Sequence, residues 1–199
     1  LVFRKPVSGL ATMRLYAYLD ELNRTKDVDG AVVEVGAYLA GTSALAYRFL
    51  EQIGVQRRYV CVDTFSGFVE RQFENDMALG VPAENRKFFA NNSIGLVRQL
   101  LKLYGTEEIE LIEADVCTMD VDELPALVAV ALIDVDLAVP IRAALDALYP
   151  RMARGGVILV DDCPEVTSWV GARHEYLRWV GERGLEPDFI FGFGRIVVP

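Results

Sequence analysis

The chain has 199 residues, 52% hydrophobic and 25% charged, a composition that suits one globular domain with a sizeable core and excludes a disordered or collagen-like chain. Its formal net charge of −9, without a basic run, argues against a nucleic-acid partner, because such binding relies on Lys and Arg to displace counterions. Three scattered cysteines, Cys61, Cys117 and Cys163, have neither disulfide-framework nor zinc-site spacing, and no apolar run approaches the ~20 residues that span a bilayer.

The opening LVFRKPVSGL lacks a signal-peptide apolar segment, so a cytoplasmic protein without a membrane partner is expected. Leu1 in place of an initiator Met implies upstream residues in the natural chain. Leu10, Met13, Leu15, Tyr16, Leu19 and Leu22 recur at helical spacing and predict a helix over Ser8–Asn23. AVVEVG, 31–36, reads as a fully buried strand, Thr42–Ile53 as a helix closed by Gly54, and RYVCVD, 58–63, as a second strand, completing a β-α-β unit. The segment 64–92 breaks this rhythm. It contains Phe65, Phe68, Phe73, Phe88 and Phe89 with Gly67, Gly80 and Pro82 as breakers. A long insertion in a compact α/β domain is commonly a functional cover, and a partly helical lid that binds the acceptor, with Arg71 and Arg86, is expected.

Ser93–Tyr104 is predicted helical and EIELIEAD, 108–115, is a third strand. VAVALIDVD and GVILVDDC are two further buried strands ending in aspartates, joined by a helix over Pro140–Ala153. Thr167–Arg183 is a helix closed by Gly184, and PDFIFGFGRIVVP forms a terminal hairpin. The order predicts an α/β fold: a single domain over 1–199 with an open, mostly parallel sheet and helices on both faces.

In such a sheet, ligands bind beyond the C-terminal ends of the strands. Neighbouring strands lie ~4.8 Å apart, so Asp134 and the pair Asp161 and Asp162 would converge there. Clustered carboxylates need a cation or protons, and Mg²⁺ is the natural hard partner, although an Asp after a strand also serves as a helix cap. On the first strand, Glu34 precedes the turn at Gly36, which lacks the full G-x-G-x-x-G of dinucleotide sites. Glu34 could accept from a ligand ammonium and Asp63, at the end of strand 2, from ribose hydroxyls. A nucleoside with an amino-acid tail, S-adenosylmethionine, fits both.

The stretches TMRLYAYLDEL, EVGAYLAGTS, DTFSGF and IDVDL…ALYPRMARGGVILVDDC resemble the macrocin and mycinamicin sugar O-methyltransferases, a family of class I S-adenosylmethionine-dependent methyltransferases. The resemblance implies a Rossmann-like seven-stranded sheet of order 3-2-1-4-5-7-6 with strand 7 antiparallel. It implies that Glu34, Gly36, Tyr38, Thr42 and Ser43 surround the methionine part of the cofactor, that Asp63 binds the ribose, and that Asp115 lies near the adenine. It also assigns Asp134, Asp161 and Asp162 to Mg²⁺. The expected activity is methyl transfer to a hydroxyl of a sugar, oligosaccharide or glycosylated natural product, with Mg²⁺ orienting and acidifying that hydroxyl. A phenolic or other small acceptor is the alternative enzyme reading, although Leu137 stands where catechol methyltransferases carry a Lys. A non-catalytic nucleotide- or metal-binding module is the alternative outside enzymes. Candidate proton acceptors are Asp134, Asp136 and His174, the only histidine. A homo-oligomer is left open.

Overall fold

The structure, a computed structural model, describes residues 5–199; residues 1–4 of the expected 1–199 domain lie outside the described residues. Seven strands form one sheet: β1 (Ala31–Val35), β2 (Tyr59–Asp63), β3 (Glu110–Glu113), β4 (Val128–Ile133), β5 (Met152–Val160), β6 (Asp188–Ile190) and β7 (Phe193–Val197). Their order is β3-β2-β1-β4-β5-β7-β6. Pairing is parallel from β3 to β5 and antiparallel for β5 with β7 and β7 with β6. The chain therefore runs outward from β1 in one direction, then returns to β4 and runs outward in the other. The gap between β1 and β4 is the switch point at which open α/β sheets hold ligands.

β1 and β4 are buried along their whole length, as expected for central strands covered on both faces. Side chains alternate between faces. Val33 and Val35 meet Ala131, Ile133, Ile158 and Val160 under α5 (Ala138–Leu148) and α6 (Val170–Glu182), with Trp179 and Tyr176 fully buried among them. Val32, Val130, Leu132 and Leu159 face the opposite way, under α1 (Thr12–Arg24), α2 (Gly41–Gln52) and α4 (Ile94–Tyr104). Glu34 shares the parity of Val32, which aims its carboxylate toward the α1–α2 side.

The predicted helix over Pro140–Ala153 is shorter, ending at Leu148. Pro150 has no N–H to continue the α-helical ladder, so the chain tightens into a 3₁₀ turn, Tyr149–Arg151, and β5 begins at Met152. The segment 64–92 contains α3 (Glu70–Met77) and a 3₁₀ turn, Ala83–Lys87. Phe73 and Val81 pack with Leu137 and Trp169, flanked by Phe68 and Phe89. Among the described residues, no helix is long and apolar enough to cross a membrane.

Candidate active site

The C-terminal ends of four adjacent strands are stitched together by backbone hydrogen bonds. Gly36 N donates to Val62 O at 2.9 Å, Asp134 N to Val35 O at 2.8 Å, and Asp161 N to Ile133 O at 2.8 Å. Gly36, Asp63, Asp134 and Asp161 thus form a row along one edge. Gly36 has φ of 90°, and a Cβ there would collide with the Asp134 carbonyl. The turn after β1 can approach β4 only with glycine. Above this edge opens a cavity of about 440 Å³, lined by Glu34, Gly36, Tyr38, Thr42, Asp63, Asp115, Asp134, Asp136, Asp161 and Asp162, among others. That volume lies within the range of small-molecule sites.

One end of the cavity is built on Asp63. Its Oδ2 accepts from Ala37 N and Tyr38 N, both at 2.8 Å, and its Oδ1 from Phe65 N at 2.6 Å. Burial raises its pKa, against the pull of these three N–H groups. Asp115 is also engaged: Oδ1 accepts from Cys117 N at 2.9 Å, and Oδ2 from Gln72 Nε2 of α3 at 2.8 Å. Both carboxylates line the cavity with part of their accepting capacity already used in holding loops.

Glu34 is 1% exposed and takes a hydrogen bond from Tyr59 Oη at 2.7 Å. Tyr59 Oη lies 2.8 Å from Tyr18 Oη on α1, so a buried three-residue chain ties β1 and β2 to the N-terminal helix. Burial pushes the Glu34 carboxyl up to about 7, with the Tyr59 hydrogen bond opposing. Thr42 faces the cavity and its Oγ1 lies 2.7 Å from Ser8 Oγ. Ser43 is fully buried and accepts from the Cys61 thiol at 3.3 Å; it is not part of the cavity wall.

The acidic end gathers Asp134, Asp136, Asp161 and Asp162. Burial raises the Asp134 and Asp136 carboxyls well above the usual range, and the neighbouring aspartates raise them further. Asp161 is pushed to about 6, first by burial and then by Asp162. Asp136 and Asp162 have φ of 61° and 54°, left-handed conformations that persist in non-glycine residues only when their surroundings impose them. Arg14, from α1, enters this cluster: Nη1 donates to Asp161 Oδ1 at 2.5 Å and Asp162 Oδ1 at 3.0 Å. Among the described residues, no group of three or more His, Cys, Asp or Glu side chains is arranged to hold a metal ion. By donor chemistry the cluster nevertheless fits a hard divalent cation: it offers carboxylate oxygens alone, four carboxyl groups against one guanidinium.

Phe68, Phe89, Trp169, Leu137 and Pro140 make the apolar wall beside the aspartates. Phe68 packs against Trp169 and Phe89 with ring centroids 5.4 and 5.5 Å apart. Trp169 and Arg14 were not anticipated from the sequence. His174 is exposed on α6 and outside the cavity wall. Arg86 pairs with Glu70 within the insertion and lies over the Phe73 ring, so it is committed locally; Arg71 is exposed.

The family model of the macrocin-O-methyltransferases (TylF) matches residues 9–186. No curated protein sequence matches the chain. Among solved structures, the O-methyltransferase NovP has a TM-score of 0.83 at 19% identity, covering 96% of this chain and 81% of that one. CalS11, a calicheamicin methyltransferase, has a TM-score of 0.74 at 21% identity over 92% and 78% of the two chains. An O-methyltransferase from Bacillus cereus in complex with SAH has a TM-score of 0.62 at 13% identity over 98% and 84%.

Proposed function

The chain belongs to the macrocin-O-methyltransferase (TylF) family and is an O-methyltransferase; from that premise we propose that it moves the methyl group of S-adenosylmethionine to a hydroxyl of a sugar or sugar-bearing acceptor. The observation that carries this reading is one cavity that joins an end lined by Glu34, Gly36 and Asp63 to an end holding four aspartates. The SAH complex of the Bacillus cereus neighbour supports the cofactor. CalS11, a TDP-rhamnose 3'-O-methyltransferase, supports the acceptor class.

S-adenosylmethionine supplies an electrophilic methyl on a sulfonium. Glu34 receives the ammonium of its amino-acid tail, and Tyr59 holds the Glu34 carboxylate in place. Asp63 directs its remaining accepting capacity to the ribose hydroxyls, while its existing bonds fix the Ala37–Tyr38 turn. Asp115 lies toward the adenine, oriented by Gln72. Thr42 and Tyr38 complete the wall.

The segment 64–92 covers the acceptor side. Phe68, Phe89 and Trp169 give a sugar ring an apolar face to stack on and keep water from the transferring methyl. Asp136 takes the proton from the acceptor hydroxyl at its carboxylate. It is buried and faces the same cavity, and burial and the neighbouring Asp162 raise its pKa, which makes its carboxylate a stronger proton acceptor. Asp134, Asp161 and Asp162 would hold Mg²⁺, which supplies Lewis acidity toward the acceptor oxygens. Positioning of the two reactants accounts for several kcal/mol of the barrier, up to roughly 7–11.

Calorimetry with S-adenosylhomocysteine, followed by mass-spectrometric detection of methyl transfer across nucleotide sugars, glycosides and phenols, tests this directly. Saturable binding and methylation of a sugar substrate are expected. Methylation confined to phenols would replace the acceptor class, and absence of cofactor binding by the folded protein would end the reading.

A further inference from the structure

Asp161 and Asp162 follow β5, yet their closest cationic partner comes from residue 14, near the start of α1. A single Nη1 atom reaches one oxygen of each, at 2.5 and 3.0 Å. The left-handed backbone at Asp162, with φ of 54°, brings two successive side chains onto the same donor, although successive residues of a strand point to opposite faces. The contact is sheltered: the side chains of Arg14, Asp161 and Asp162 are 22%, 7% and 13% exposed. Gly192 backs it: a Cβ added there would lie 3.7 Å from Arg14 Cδ. A guanidinium keeps its proton throughout the accessible pH range. It is therefore a permanent +1 charge built into the acidic end.

Arg14 also belongs to a wall. Val7, Ser8, Gly9 and Arg14 line the cavity, and a Cβ at Gly41 would collide with the Val7 carbonyl. This N-terminal strap has two polar fastenings, Ser8 to Thr42 at 2.7 Å and Arg14 to the aspartates, with Leu10 buried against the core between them. Behind Arg14, α1 is anchored by buried Ala17, Tyr18 and Leu22. Ahead of it, α1 begins without a side-chain cap at Ala11, and Met13 is half exposed.

We propose that Arg14 is the resident cation of the aspartate cluster and that a divalent metal ion binds there only by displacing it, which couples metal occupancy to release of the N-terminal strap. This rests on the metal-binding part of the reading above. Arg14 now holds one oxygen on each of Asp161 and Asp162, two of the three carboxylates that would ligate the ion, and two cations that close to each other repel. Without metal, Arg14 offsets part of the repulsion among four carboxyls. With metal, the guanidinium swings out while α1 stays packed through Tyr18, and the strap loses one of its two polar fastenings and is held by Ser8 and Leu10.

Mn²⁺ binding to the full chain, followed by the electron paramagnetic resonance of free Mn²⁺, tests the competition in wild type and Arg14→Gln. Affinity is expected to rise in Arg14→Gln by on the order of 5–150-fold, the range usual for thermodynamic coupling between two interactions of one protein. In EDTA the variant should melt below wild type, and saturating Mn²⁺ should close that gap. Hydrogen exchange of residues 7–14 should quicken on adding Mn²⁺ to wild type. Arg14→Lys, which keeps the charge on a flexible stem, should fall between the two and serves where Arg14→Gln does not fold. Equal Mn²⁺ affinity in wild type and variants would overturn the competition while leaving the metal reading intact. Weaker binding in Arg14→Gln would overturn it too, by making Arg14 a supporter of the site. Absence of Mn²⁺ binding in every form at millimolar concentration would remove the metal reading and this inference with it.

Discussion

Asp63 has two jobs that a substitution series can separate. Its carboxylate accepts three backbone N–H groups, from Ala37, Tyr38 and Phe65, and Tyr38 and Phe65 have φ of 48° and 49°. The turn after β1 and the turn after β2 are strained backbones held by one side chain. Losing the acceptor leaves these donors unmet, at about 1–3 kcal/mol for each buried group. Asp63→Ala should therefore lower thermal stability and abolish S-adenosylhomocysteine binding together. Asp63→Asn retains one accepting oxygen, enough for the Ala37 and Tyr38 donors, and should regain most of the lost melting temperature. Its affinity for S-adenosylhomocysteine should stay about tenfold or more below wild type, because a charge-assisted bond to ribose contributes roughly 1.5–3 kcal/mol. Calorimetry beside a thermal melt reads both. Wild-type affinity in Asp63→Asn would reduce Asp63 to a loop organiser.

At the level of elements, the insertion is tied to the sheet through the first turn of α5. Leu137 gives α5 no side-chain cap; Asp76 of α3 does so instead, accepting from Ala138 N at 3.2 Å with Oδ1 and 3.0 Å with Oδ2. Asp76 is completely buried, and a Cβ at Gly171 of α6 would collide with its carboxylate. A helix N-terminus favours such a carboxylate, and loss of a cap costs about 1–2 kcal/mol. Asp76→Ala should destabilise by about that amount in urea titration. It should also raise the acceptor KM or lower kcat by more than it weakens S-adenosylhomocysteine binding, since Asp76 holds the turn that carries Asp136, whereas α3 reaches the cofactor end only through Gln72 and Asp115. An equal loss of cofactor affinity would contradict that division. None of this latch was legible beforehand: Asp76 sits in a polar helix, and its partner is 62 residues away. Strands β2, β4 and β5 were legible because they are near-continuous apolar runs closed by acids, β1 because its apolar run, broken only by Glu34, stops at Gly36, and the hairpin because Gly192 breaks its two halves. The row of acids at the strand ends followed from sheet geometry. Arg14 and Trp169 carry no local signal, since an Arg on an amphipathic helix and a Trp before one look the same whether they enter a cavity or not. The end of α5 was misjudged because Tyr149, Met152 and Ala153 continue the apolar pattern that Pro150 interrupts.

Across the whole molecule, the site stores charge that folding opposes. The Glu34 carboxyl rises from 4.5 to about 7, chiefly by burial, and Asp76 and Asp161 rise to about 6, also by burial first. A carboxyl with a raised folded pKa holds its proton in the native state at pH values where the unfolded chain has released it. Stability then falls as pH climbs from the unfolded to the folded pKa. For Glu34 the window is pH 4.5 to about 7, and a shift of roughly 2.5 units corresponds to about 3 kcal/mol at most. Surface carboxylates paired with arginine act in the opposite sense: Glu110 is held low by Arg58 and loses that stabilisation in acid. The comparison that isolates the site is therefore wild type against Glu34→Gln, which removes the titration and retains an acceptor for Tyr59. Ligand-free Glu34→Gln should gain stability relative to wild type as pH rises from 5 to 8, by about 1–3 kcal/mol, in parallel urea titrations. A ligand ammonium beside Glu34 favours the charged form and reverses the balance. S-adenosylhomocysteine should bind wild type more tightly at pH 8 than at pH 6, and this pH dependence should vanish in Glu34→Gln. Were the two proteins to show the same pH slope, in stability and in binding alike, the buried glutamate would be neither the store of that charge nor the partner of the ligand.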